Sequence, residues 1–363
     1  MVKELKSRVS TSKAYPKVAR EVIFLERTLR YLRCRTFGRN DWEKILSKPP
    51  TAIGCNVTGL CNARCSYCAY RFHKPDGIMP MQVYEKAVKD FSQMGGRAVG
   101  FSPVTGEPLL DPLLMRRIEF ASQFENIEEI GIETNGIQFQ NEEIIEGLIG
   151  LSSRIRIKIG ISLPGFEEAM YQRIYGVGGY HRVLYGVQNL LKANSQNNGP
   201  LNIRLVLQPD RGGILQDKDF RNTILPYLGE GSVEVSLRVV DNWCGQIRQE
   251  HLTGDMILLR PLKFRSIPCQ ILLEGTIDVL VNGDVRFCGC RYGKQGPHDS
   301  LVIGNIMEKS LSEIWFGDEP KKICEGFLKG ELPEPCQECS KYEPLIDSVS
   351  SFVYGMVRKY ILK

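Results

Sequence analysis

Cys61-Asn-Ala-Arg-Cys65-Ser-Tyr-Cys68 brings three thiols into one short stretch of chain. The spacing, Cys-x3-Cys-x2-Cys, stops one thiolate short of two common centres. A closed structural zinc site takes four ligands in a tetrahedron, and a standard four-iron cluster is also held by four. Three ligands in so tight a loop leave one iron open to something other than the protein. A zinc knuckle borrowing Cys55 or His73 as its fourth ligand is the plainer reading of the same thiols.

Outward from this loop the chain alternates between two periodicities. Pro49 and Pro50 break what precedes, and Thr51 to Val57 reads as a strand entering the cysteine loop. Helical spacing recurs over Gln82–Gly95, Leu113–Phe124, Glu142–Leu151, Glu167–Ile174 and His181–Asn194. Short β-rich runs lie between them at Ala98–Phe101, Glu129–Glu133, Ile155–Ser162, Asn202–Gln208 and Ser232–Val240. A repeated βα pattern predicts an α/β fold, a parallel sheet with crossover helices. Six such strands make a partial (β/α)6 TIM-like barrel, whose site belongs at the carboxyl ends of the strands. Ahead of the barrel, residues 1–50 form a helical segment in which Val18, Val22, Leu25, Leu29 and Leu32 recur at helical spacing over Lys17–Arg33. The barrel is expected over residues 51–260 and a small cysteine-rich domain over 261–345. There, Cys269 to Cys290 alternates like a hairpin, turned at Asn282-Gly283-Asp284. Residues 346–363 are amphipathic, from Phe352 through Met356 and Tyr360, and suit packing on the barrel or the N-terminal helix more than a membrane surface.

Composition narrows the setting. A chain of 363 residues with net charge +5 carries no block of like charge and no basic patch with interleaved aromatics, so no nucleic-acid partner is expected. No run approaches the ~20 apolar residues of a membrane span, and the N-terminus lacks a signal-peptide core. A cytoplasmic location follows as the expectation, and the 12 cysteines then point to metal rather than disulfides.

With Asn62, Arg64 and Tyr67 set among its cysteines, the loop resembles the cluster loop of radical S-adenosylmethionine (SAM) enzymes. The resemblance implies a [4Fe-4S] cluster on Cys61, Cys65 and Cys68 with SAM at the open iron, and Tyr67 near the adenine. It implies reductive cleavage of SAM to a 5′-deoxyadenosyl radical, fed by an external low-potential donor of the flavodoxin or ferredoxin type. Val104-Thr105-Gly106-Glu107-Pro108 is similar to the family's Gly-Gly-Glu-Pro motif for the SAM ammonium, with Thr105 in place of the first glycine. Thr134, Asn135 and Ser162 follow or close strands where relatives line the SAM ribose and carboxylate. Arg173 stands where relatives carry an arginine for that carboxylate, although its surrounding letters depart from the pattern.

The cysteine-rich region, with Cys269, Gly283-x4-Cys288 and Cys336-x2-Cys339, resembles the SPASM and shortened twitch auxiliary-cluster domains. One auxiliary [4Fe-4S] cluster on Cys269, Cys288, Cys336 and Cys339 is implied, with Cys290 and Cys324 as alternates. A four-cysteine zinc site uses the same thiolates. Asp241 and Cys244 follow the sixth strand and face a substrate in this reading, as proton acceptor and hydrogen-atom donor; a packed thiol and a solvated acid are the simpler account. Cys34, His73 and His181 gain no role. The resemblance implies an oxidoreductase, with dehydrogenation of a sugar or cyclitol by hydrogen-atom abstraction favoured. Maturation of a ribosomal peptide is the alternative enzyme, and a non-catalytic iron–sulfur or zinc scaffold the alternative class. The substrate is accordingly a small molecule or a peptide.

Overall fold

The computed structural model describes residues 15–37, 42–72, 77–101, 106–207, 217–228, 233–237, 239–253, 256–273, 276–289 and 299–345. Thr105, His73, Cys290 and the amphipathic run 346–363 lie outside the described residues.

Six strands run parallel in chain order: β1 (Ala52–Cys55), β2 (Ala98–Phe101), β3 (Glu129–Thr134), β4 (Arg156–Leu163), β5 (Leu201–Leu207) and β6 (Val233–Leu237). Their pairing is simple, each with the next, from Ala52 opposite Ala98 to Leu207 opposite Leu237. One face of β3–β5 is Ile130, Ile132, Ile157, Ile159, Leu201 and Ile203, all at most 1% exposed under the crossover helices. β-Branched residues suit this pleated, buried surface, and each buried side chain contributes roughly 1.5–3 kcal/mol. The opposite face carries glycine in one register row, Gly54, Gly100 and Gly131, so these three strands put no side chain of their own on the inner side at that level.

The expected hairpin forms, shorter than its alternation suggested. Cys269 is followed by a helix, Gln270–Leu273, and the hairpin proper is β7 (Thr276–Val279) and β8 (Asp284–Arg286). A short apolar run such as Gln-Ile-Leu-Leu reads equally as strand or buried helix by periodicity. Gly283, at φ +90°, makes the turn that the Asn-Gly pair predicts. β7 lies parallel beside β1, so with β9 (Val302–Asn305) the cysteine-rich region extends the barrel sheet, among the described residues, to nine strands in the order β6-β5-β4-β3-β2-β1-β7-β8-β9. Among the described residues the sheet does not close on itself.

The N-terminal helix spans Tyr15–Phe37 and buries the face opposite its apolar stripe. Val18, Leu25, Leu29 and Leu32 are 52–59% exposed, whereas Arg27 and Tyr31 are 2% and 4% exposed. Arg27 donates to the carbonyls of Ser340, Tyr342 and Arg260, and Tyr31 Oη lies 2.7 Å from Ser266 Oγ. Uncapped carbonyls of the C-terminal loop need donors, and a guanidinium supplies several from one side chain. Among the described residues, no helix is long and apolar enough to cross a membrane.

Candidate active site

The cysteine loop leaves β1 and is fixed by backbone bonds to distant elements. Arg64 N donates to Tyr175 O at 2.8 Å and Ser66 N to Ile174 O at 2.7 Å, tying the loop to the end of the helix Glu168–Tyr175. Tyr70 folds back, its hydroxyl accepting from Cys61 N while its own N–H points to Cys68 Sγ. The three thiols lie within electrostatic reach of one another, and Tyr67 is in hydrogen-bonding contact with Cys65. Burial pushes the Cys61 thiol up to about 12, and burial with repulsion from Cys68 and Cys61 also raises Cys65. A metal binding at Cys61 and Cys65 would therefore have to expel their protons.

Glu107 organises the next layer. Its carboxylate is buried and accepts from Leu109 N (3.1 Å), Thr134 Oγ1 (2.6 Å) and Asn135 N (2.7 Å). Burial outweighs these bonds and lifts its pKa to about 7. Asn135 then reaches the cysteine loop, donating from Nδ2 to Asn62 Oδ1 at 2.8 Å and approaching Cys61 Sγ at 3.9 Å. Gly106, at φ +124°, lets the backbone pass so close to Thr58 that a Cβ would stand 2.1 Å from its carbonyl oxygen. Glu107 N completes the contact by donating to Leu60 O at 2.7 Å. Gly106, Glu107, Thr134 and Asn135 are thus brought together with Cys61 at the carboxyl ends of β2 and β3, as the barrel rule requires. Ser162 joins less directly: its carbonyl accepts from Tyr175 Oη, and Tyr175 contacts the Tyr67 hydroxyl. Arg173 is exposed on its helix.

A second group of thiols gathers where the sheet extension meets the C-terminal loop. Cys269, Cys288, Cys336 and Cys339 line one small pocket with Ile271, Leu272, Phe327 and Tyr342. Arg265 donates to Cys336 O and Arg286 Nη1 to Cys288 O at 2.5 Å, and both guanidiniums are buried. A buried Arg265 beside four thiols suits a centre that is anionic when loaded, while Arg286 is also paired with Asp299 at 2.5 Å. Cys324 is buried in the helix Asp318–Lys329 and does not line this pocket. Asp241 is also buried, its Oδ1 accepting from Trp243 N at 3.1 Å, and Cys244 lies in hydrogen-bonding contact with Cys339. The Asn62–Asn135 bridge, the Tyr67–Tyr175–Ser162 chain and the Cys244–Cys339 contact carry no local signal in the sequence, because each joins segments far apart in the chain.

The residues fit two iron–sulfur centres. Three thiols share the loop 61–68, and the four C-terminal thiols edge one pocket. Beside the first group, Asn56 and Ser66 bury side-chain polar atoms without a hydrogen-bond partner, and buried polar groups ordinarily have one. A hollow of about 460 Å³ also opens on the inner face of β3–β6, lined by Glu129, Glu133, Lys158 and Arg204 among others. It flanks mainly the amino-terminal halves of these strands, the wrong end for the chemistry at Glu107.

Comparison with known proteins agrees with this division. Residues 55–211 match the radical SAM superfamily, and residues 269–340 match SPASM, an iron–sulfur cluster-binding domain. The chain is similar to GTP 3',8-cyclase of Pasteurella multocida (strain Pm70), 24% identical over 63% of this chain and 66% of that one. It is 28% identical to GTP 3',8-cyclase of Clostridium perfringens (strain SM101 / Type A) over 43% of this chain and 46% of that one. The matched stretch thus spans from about half to just under two thirds of these relatives. In fold it is similar to BtrN in complex with AdoMet and 2-DOIA, with TM-score 0.52, 19% identity, 80% of this chain and 93% of BtrN covered. It is likewise similar to Streptococcus suis SuiB bound to precursor peptide SuiA, with TM-score 0.54, 15% identity, and 84% and 76% covered.

Proposed function

Because this chain belongs to the radical SAM superfamily and carries a SPASM domain, we propose that it is an oxidoreductase that dehydrogenates a hydroxyl-bearing small molecule of the sugar or cyclitol kind. When bound, the cofactors supply an electron to SAM, the 5′-deoxyadenosyl radical that takes a hydrogen atom from carbon, and an acceptor for the electron left on the substrate. Cys61, Cys65 and Cys68 hold the first cluster, and Cys269, Cys288, Cys336 and Cys339 the second. Glu107 keeps one lone-pair position beyond its three internal bonds for the SAM ammonium. Asn135 orients the Cys61 loop, and Tyr67 with Tyr175 sets the height of β4 and Ser162 beside it.

The observation that carries this reading is the set of four thiols around the second pocket. A cluster with all four ligands from the chain has no iron left for a substrate atom, which suits electron acceptance at a distance. The name shared by the two relatives above favours a second reading, chemistry on a purine nucleotide.

The test is anaerobic incubation with SAM, a strong reductant and a panel of carbon-deuterated cyclitols and sugars beside deuterated GTP. Deuterium appearing in 5′-deoxyadenosine from a cyclitol or sugar supports the proposal. Label arriving only from GTP replaces it with the second reading. Absence of 5′-deoxyadenosine from protein with a full iron complement would leave a non-catalytic scaffold. Iron content checks the ligands independently: about eight per chain should fall to about four in a Cys61/Cys65/Cys68→Ala triple variant, at about four per cluster.

A further inference from the structure

Cys244 sits in a loop that β6 delivers onto the Cys336-x2-Cys339 turn. The docking is reciprocal: Asn242 N donates to Ser340 Oγ at 2.8 Å, Asn242 Nδ2 to Glu338 O at 2.7 Å, and Ser340 N to Asn242 Oδ1 at 2.9 Å. Gly245 lets the Glu338 side chain approach, since a Cβ there would stand 2.0 Å from Glu338 Oε2. Two consecutive residues, Trp243 and Cys244, take left-handed backbone angles, φ +48° and +56°. Non-glycine residues avoid this region unless the surroundings enforce it, and such positions gather at functional sites. The surroundings here are identifiable. Trp243 is buried with Ala69, Ile247 and Leu280, and Cys68 of the first thiol group packs against the same cluster. The turn presents the Cys244 sulfur to Cys339, in hydrogen-bonding contact and within electrostatic reach of Cys336.

We propose that Cys244 is a fifth thiol of the auxiliary centre, not a ligand, whose S–H donates to the Cys339 thiolate and raises the reduction potential of that centre. The proposal rests on the reading of Cys269, Cys288, Cys336 and Cys339 as the ligands. A hydrogen bond to a ligand sulfur disperses negative charge, and the reduced state, which carries one electron more, gains most from it. The Asn242–Glu338 and Asn242–Ser340 bonds on either side hold the Cys244 loop against the Cys339 turn. The role replaces donation of a hydrogen atom to substrate, because the sulfur is already turned to Cys339. Cys244 acts through Cys339 and is a positioning residue.

The experiment uses the full chain carrying Cys61/Cys65/Cys68→Ala, reconstituted anaerobically, so that the auxiliary centre alone contributes signal. Iron content and an EPR-monitored potentiometric titration are compared for Cys244 intact, Cys244→Ala and Cys244→Ser. Cys244→Ala should retain about four irons and titrate at a more negative potential, and Cys244→Ser, with its O–H donor, should recover most of the difference. Loss of iron in Cys244→Ala would make Cys244 a ligand and overturn the proposal. An unchanged potential would overturn it too, leaving a packed thiol. No iron with Cys244 intact would instead sink the four-ligand reading, and this inference with it.

Discussion

Glu107 gathers three donors from the segments that follow β2 and β3, and its side chain ties those two segments together. Glu107→Gln would set an amide N–H₂ against the Asn135 N–H or the Thr134 hydroxyl. Leaving one such buried donor unmet costs about 1–3 kcal/mol, so the urea midpoint of the metal-free protein should fall accordingly. The carboxyl pKa, raised by burial from the ordinary 4.5 to about 7, also gives a pH signature. The folded state holds the proton more tightly than the unfolded one. Its stabilising contribution is therefore complete below pH about 4.5 and lost as pH rises to about 7. Urea titrations at pH 5 and 7.5 should show that decline in wild type and less of it in the glutamine variant. SAM binding, through its ammonium, should strengthen over the same rise as the carboxylate forms. Gly106→Ala should be more damaging to SAM affinity than to folding, because the displaced segment is the one that carries Glu107 toward Thr58 and Leu60. Isothermal titration of SAM into reconstituted protein measures this, and an unchanged affinity would remove Gly106 from the site.

Elements were more legible than their orientation. The helix Glu142–Leu151 begins and ends where its periodicity placed it, with Asn141 Oδ1 accepting from Glu143 N at 3.0 Å as an N-cap. The N-terminal helix also forms where expected, but four of the five apolar residues that announced it are exposed, and Val22 is half-buried. Its arginine face does, because the C-terminal loop through Ser340 and Tyr342 offers carbonyls that only a donor-rich side chain can satisfy. Arg27→Ala should therefore cost roughly 1–3 kcal/mol by orphaning buried carbonyls and should lower iron retention at the Cys336 and Cys339 centre. Leu29→Glu should change stability by no more than about 0.5 kcal/mol, as exposed substitutions do. Thermal melts and iron analysis of both variants would expose an inverted order.

At the scale of the molecule, the cysteine-rich region and the barrel share one sheet through the β1–β7 pairing. Gly54 makes that pairing possible on the inner face, since the Asp278 carboxylate lies across it and a Cβ would stand 1.8 Å from Asp278 Oδ1. Gly54→Ala should push β7 from β1. Amide hydrogen exchange at Ile277 and Val279 should accelerate, while Ile157 and Ile203 in the centre of the sheet stay protected. Equal acceleration throughout would mean that the β1–β7 seam is not where the two regions are joined.

The sequence by itself determined the parts that depend on local order. The cysteine spacing, the alternation of β and α periods, the Asn282-Gly283 turn and the Gly106-Glu107 pair each act within a few residues, so a short window carries the whole signal. The same held for the candidate thiols of the second centre, whose spacing is part of the pattern. Only the tertiary structure decided which side chains face one another across the chain. It brought Asn135 to Cys61, set Cys244 against Cys339, left Cys324 outside the second pocket and chose arginine over leucine for the buried face of the first helix. The physical reason is common to all four. A hydrogen-bond donor or a thiol is satisfied by whatever acceptor or neighbour the fold brings within a few ångströms, and separation along the chain does not specify that partner.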